Sequence, residues 1–205
     1  MRWDNLFHDL ETQLDAEVDA AHRDREREKE REAIAQSTLA QMLRRLKEQT
    51  LVVEFVLGDY SLEGQVESVG RDWIAAEIRS PGLLAGYAIV PFPQLSAILL
   101  APEQVWVASQ AFTGQSASDA TQGSTRVLSL LEKIPVRIVL RDLCRRRRQV
   151  VVVTRGAHYS GTLDRVAADY LEIACHQGDV ARRQADVSRL AVIPLDAVLL
   201  VRILD

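Results

Sequence analysis

Cysteine is almost missing from this chain, with only Cys144 and Cys175 among 205 residues. The two have no C-x-x-C spacing and no histidine pair beside them, so neither a zinc site nor a disulfide framework is indicated. They read as free thiols of a cytoplasmic protein. Long apolar runs are missing too. Nothing approaches the roughly 18 residues a transmembrane helix needs, so no membrane partner is expected. The opening Met1-Arg2-Trp3-Asp4 turns acidic rather than apolar, which argues against a secretory signal. The histidines (His8, His22, His158 and His176) are scattered, and His158 reads as a solvated turn residue. No G-x-S-x-G, P-loop, H-E-x-x-H or dinucleotide glycine pattern occurs. These absences predict a protein that is not an enzyme, with no cofactor and no metal.

What is present is ordinary for a folded chain: 47% hydrophobic and 26% charged residues. The formal net charge of −4 is unevenly spread. Residues 1–48 hold nine Lys/Arg against twelve Asp/Glu, a balance of −3. Residues 49–123 hold two against eight, or −6, and residues 124–205 hold fourteen against nine, or +5. An acidic half and a basic half can attract each other in an assembly, or the basic half can hold phosphate.

Four segments follow from periodicity and composition. Residues 1–36 read as a long N-terminal helix, with Trp3, Leu6, Phe7, Leu10, Leu14 and Val18 on one face. From Arg23 to Glu32 the helix carries alternating charge and nothing apolar, which reads as a solvated helix laced by weak ion pairs. The apolar face at its start needs a partner helix, as in a coiled coil, or a barrel surface. Residues 37–108 read as a helix capped by Ser37, with a buried stripe of Leu39, Met42, Leu43 and Leu46. Five short strands follow it, near 51–57, 62–69, 73–78, 88–91 and 95–100. Residues 109–124, rich in Gln, Ser, Thr and Gly, read as a flexible linker. Residues 125–205 repeat the pattern: a helix after Pro135, then strands near 150–154, 159–166, 170–175, 189–194 and 198–204.

The repetition is regular. A shift of 97 residues aligns Leu39 to Ile74 with the second unit without a gap. Leu43 falls on Leu140, Leu46 on Leu143, Gly64 on Gly161, Asp72 on Asp169 and Trp73 on Tyr170. Both copies close on a matching pair, Val90-Pro91 and Ile193-Pro194, with about six extra residues before it in the second. A glycine inside a strand marks a bulge or sharp bend, and bent strands close small barrels. The expected fold is therefore mainly β: two tandem five-stranded barrels, each preceded by a helix.

Leu62-Glu63-Gly64-Gln65-Val66-Glu67-Ser68, in a helix-plus-five-strand setting, resembles strand two of the Sm-like (SH3-like barrel) family, in particular its bacterial RNA-chaperone branch. The resemblance covers about 37–100 and 134–204. It implies edge strands paired from neighbour to neighbour in rings, and RNA bases bound near the turn between strands two and three. That turn is Gly70-Arg71-Asp72-Trp73 here, and Ala167-Ala168-Asp169-Tyr170 in the second copy. The chaperone's Tyr-Lys-His signature is replaced by Ile89-Val90-Pro91. The whole arrangement, with its Trp3-Asp4-x-Leu6-Phe7 opening, also resembles uncharacterised actinobacterial proteins, some labelled Fis family transcriptional regulator. Residues 198–204 read as strand, so no C-terminal helix-turn-helix accompanies that label.

The sharpest local feature is Arg145-Arg146-Arg147-Arg148 at a helix C-terminus, with Arg137 and Arg141 one and two turns earlier. Such a run can grip phosphates, or it can complement the helix dipole. Arg182 and Arg183 extend the basic surface, and Trp73 and Tyr170 are candidates for base stacking or for barrel core. Asp72 and Asp169 read as turn residues bonding their own backbone. Two functions follow as expectations. One is RNA or other nucleic-acid binding through the basic second repeat. The other is an oligomeric scaffold with no nucleic-acid ligand, in which two units per chain make a ring of three chains natural.

Overall fold

Helix formation in each half begins at a local signal. The computed structural model describes residues 37–82, 84–105, 130–176 and 189–204, with a few isolated helical positions between 25 and 35. Most of the expected N-terminal helix and the whole 109–124 linker lie outside the described residues. The first helix, α1 (Leu39–Glu48), is capped by Thr38 rather than Ser37. Gln41 N donates to Thr38 Oγ1 and Thr38 N donates to Gln41 Oε1, a reciprocal capping box that serine one position earlier cannot make. Its buried stripe is narrower than the periodicity predicts: Leu43 and Leu46 are fully covered, while Leu39 is exposed.

The second helix, α2 (Val136–Arg145), follows Pro135 as expected and buries Leu140 and Leu143. Both helices stop in the same way. Thr50 (φ 50°) and Arg147 (φ 53°), 97 residues apart, adopt the left-handed conformation. Leu51 N then donates to Leu46 O, and Arg148 N to Leu143 O. The left-handed residue lets the chain close over the last turn and start the first strand.

Among the described residues there are ten strands: β1 (Val52–Leu57), β2 (Tyr60–Val69), β3 (Trp73–Ile78), β4 (Gly86–Pro91) and β5 (Ala97–Leu99) in the first half, and β6 (Gln149–Thr154), β7 (His158–Val166), β8 (Tyr170–Cys175), β9 (Arg189–Pro194) and β10 (Val198–Ile203) in the second. They form one antiparallel sheet in the order β5-β1-β2-β3-β4-β10-β6-β7-β8-β9. Each half thus contributes the same local order, its fifth strand beside its first. α1 packs on β2 and α2 on β7.

Register explains the two alignment glycines. Gly64 pairs with Ile78 and Gly161 with Cys175. A Cβ at Gly64 would lie 2.7 Å from Glu77 O, and one at Gly161 would lie 1.9 Å from Ala174 O. The glycines admit a close approach of neighbouring backbones, and the bulges lie just beyond them. The pairing slips between Val66 and Ser68 in one half and between Leu163 and Arg165 in the other, positions that coincide under the 97-residue shift.

The halves join where β4 meets β10, through Ile89↔Val201 and Ala88↔Arg202. Apolar residues alternate between the two faces of the sheet, and at this junction both faces are covered. Trp73 and Ile89 of the first half belong to the core cluster built on Leu140, Leu163 and Ile173. Conversely Val151, Val153, Leu199 and Leu200 belong to the cluster built on Leu43, Phe55 and Val66. Each half completes the other's core.

Gly161→Ala is expected to destabilise the fold by about 3 kcal/mol, and Gly64→Ala by clearly less, because the added methyl would lie 1.9 Å from a backbone carbonyl oxygen in the first and 2.7 Å in the second. Thr50→Gly should instead stabilise by up to about 1 kcal/mol by relieving the left-handed conformation. Urea denaturation of the three variants against the parent checks the order.

Candidate functional site

The arginine run emerges from α2 with most of its charge already answered. Arg145 lies 2.7 Å from Asp142 Oδ1, and Arg146 Nε lies 2.6 Å from Asp142 Oδ2. Arg147 lies 3.0 Å from Asp164 Oδ1 across on β7. The hydrogen bond from Arg145 and the charge of Arg146 hold the Asp142 carboxyl below its ordinary value. Arg148 is exposed. Arg141, one turn earlier, donates from Nε to Val166 O at 3.0 Å and from NH2 to Ala167 O, fastening α2 to the end of β7. Five of the predicted phosphate-binding arginines thus stand in one neighbourhood, and four of them make bonds within the fold.

The aromatic candidates separate. Trp73 is only 4% exposed, and its indole N–H donates to Ile134 O at 2.9 Å. Its ring fills the space beside Gly70, so it serves as core and offers no face to a base. Tyr170, its counterpart, is partly exposed. Arg182 and Arg183 lie outside the described residues. His158 is exposed, but its Nε2 lies 2.7 Å from Tyr60 Oη, so it ties together the β1–β2 and β6–β7 hairpins rather than hanging free in solvent.

Arg137 belongs to a different place. A cavity of about 570 Å³ opens at the junction of the halves, lined by Arg71, Asp72, Pro93, Gln94, Arg137 and Asp196 among others. This volume is within the usual range for a small-ligand site. Its wall is built by the turn between β2 and β3 clamped onto the entry of α2. Asp72 Oδ1 accepts from Val136 N at 2.7 Å, and Arg71 N donates to Ile134 O at 3.2 Å. Asp72 therefore does not serve only its own turn. It caps the second half's helix, whose N-cap Pro135 has no side chain to do so. On the far side Gln94 Nε2 donates to Asp196 O at 2.7 Å. The exposed guanidinium groups of Arg71 and Arg137 are the cations of this wall.

Arg71 was legible only as a turn residue. Nothing in the sequence brings it to Arg137, 66 positions away, because the clamp between Asp72 and Val136 is a contact between repeats. Among the described residues no group of three or more His, Cys, Asp or Glu could hold a metal ion, and no helix is long and apolar enough to cross a membrane.

Two outcomes test this geometry. Asp72→Ala removes the only side-chain bond to the α2 N-terminus among the described residues and should lower stability by about 1 kcal/mol in urea denaturation. The depressed Asp142 carboxyl contributes stability that is present above its unfolded value and lost as pH falls through its folded value. Asp142→Asn should therefore flatten the acid limb of the stability–pH profile and leave the neutral region nearly level.

No protein family, curated protein or solved structure matches this chain at a significant level.

Proposed function

We propose that this chain is a non-enzymatic assembly module: two Sm-like five-stranded barrels in tandem whose sheet is extended by further copies into a larger oligomer. The observation that carries this reading is the state of the two terminal strands. On β9, Leu190 is 54% and Val192 61% exposed, and on β5 Leu99 is 49% exposed. Ile89 on β4, which occupies in its half the place Val192 occupies in the other, is 2% exposed because β10 covers it. Edge strands that carry exposed apolar side chains are ready templates for strand addition. Two units per chain make a closed ring of three chains the natural product. Light scattering at micromolar concentration should give a mass of several chains. A strictly monomeric mass would remove the reading.

Nucleic-acid binding is supported by a separate observation, the pair Arg71 and Arg137 at the junction cavity. It lies beside the β2–β3 turn, where the resemblance to the Sm-like family implies contact with RNA. The cationic groups at the cavity mouth suit a phosphate, whereas most of the 145–148 run is held by Asp142 and Asp164. On this reading Arg71→Glu with Arg137→Glu abolishes salt-sensitive retention of single-stranded RNA on a filter. Neutralising Arg145 to Arg148 has the smaller effect. Equal retention by the Arg71/Arg137 variant and the parent would exclude the cavity as the site.

A further inference from the structure

The wall of the junction cavity is poor in hydrogen-bond donors. Pro91, Pro93 and Pro135 line it and have no N–H. Three other lining residues spend theirs within the fold. Arg71 N donates to Ile134 O, Val136 N to Asp72 Oδ1 and Leu195 N to Asp169 O. The side chain of Gln94 gives its Nε2 to Asp196 O. The guanidinium groups of Arg71 and Arg137 differ from all of these. Both are exposed, and neither is bonded to another group among the described residues. The cavity therefore concentrates its donors in one cationic pair.

The remaining surface is aliphatic. The prolines, Val136, Leu195 and Ala168 form the walls above a floor of Ile89, Leu140 and Val201. No aromatic ring is among the described lining residues. A nucleobase is held by stacking on a ring and by hydrogen bonds to its edge, and this wall is short of both. An aliphatic body asks for neither. It needs only apolar surface withdrawn from water.

The carboxylates set the polarity. Asp72 is engaged with Val136 N, so it is part of the wall's frame. Asp196 is exposed on the far side, beside Gln94. An anionic head is therefore favoured at Arg71 and Arg137 and opposed near Asp196. A strand threading the cavity would carry further phosphates toward Asp196, whereas a single head group does not.

We infer that the junction cavity binds a small aliphatic carboxylic acid, its carboxylate held by Arg71 and Arg137 and its chain laid against the prolines and Leu195. This goes beyond the assembly reading and does not depend on it. It shares only the two guanidinium groups with the nucleic-acid reading. Because the walls come from both halves of the chain, an occupied cavity ties the halves together.

Isothermal titration calorimetry on the full chain, with octanoate as the probe, tests the inference. Octanoate should bind, and each methylene removed on going to hexanoate and butanoate should weaken binding by about three- to fourfold. Octanol, which lacks the head, and inorganic phosphate, which lacks the body, should each bind at least about tenfold more weakly. Arg71→Gln with Arg137→Gln should cost about tenfold in octanoate affinity and leave octanol unchanged. Ala168→Trp, which fills the cavity from the exposed second turn, should abolish octanoate binding with both arginines intact. Circular dichroism establishes that the variants are folded. The inference is overturned if octanoate gives no heat, if its binding survives both variants, or if uridine 5′-monophosphate binds as tightly. Filter retention of single-stranded RNA that requires Arg71 and Arg137, in a chain that ignores octanoate, would leave the nucleic-acid reading standing and remove this one.

Discussion

The pairing of β4 with β10 is the contact on which the rest of the structure depends. It consists of Ile89 beside Val201 and Ala88 beside Arg202. Through it, one sheet passes between two cores and exchanges its faces. Residues outward in one half become core of the other: Trp73 and Ile89 in one direction, Val151 and Val153 in the other. Burying each such side chain is worth roughly 1.5–3 kcal/mol, so the junction is bound by apolar surface as much as by backbone hydrogen bonds. The clamp of Asp72 on Val136 and the indole bond of Trp73 to Ile134 hold the second helix against the first half's turn. The junction cavity, with Arg71 and Arg137 at its wall, is a product of the same contact.

This geometry also changes the meaning of the charge distribution. The +5 of residues 124–205 suggests a phosphate-binding surface, and Arg145 to Arg148 suggest where it is. In the fold, Asp142 takes two of those arginines and Asp164 a third, while Arg141 is engaged with backbone carbonyls of the β7–β8 turn. Local ion pairs and a helix C-terminus account for much of the run.

The local pattern was readable from the residues. All ten strands fall within about two residues of where alternation and turn residues put them, because the periods of strand and helix are written in which residues are apolar. Gly64 and Gly161 were recognisable as special positions, although their role is close backbone approach and the bulge lies two to three residues on. What could not be read depends on contact between the repeats. Asp72 looks like a turn residue until Val136 N is placed 2.7 Å from it, and Trp73 looks equally suited to stacking or core until Ile134 O is found at its indole N–H. Ser37 lost the cap to Thr38 because only Thr38 has Gln41 three residues on to complete the box. The continuous sheet itself has no signature in either repeat alone, since it needs β10 to lie beside β4, more than a hundred residues away.

On the proposed assembly, further copies extend the sheet at its two terminal strands, β5 and β9. Amide hydrogen exchange across a concentration series reads this directly. The account predicts that backbone amides of β5 and β9 are protected at high concentration to a degree approaching those of β4 and β10, and lose that protection on dilution. Rapid exchange of both terminal strands at every concentration, with β4 and β10 protected throughout, would contradict it.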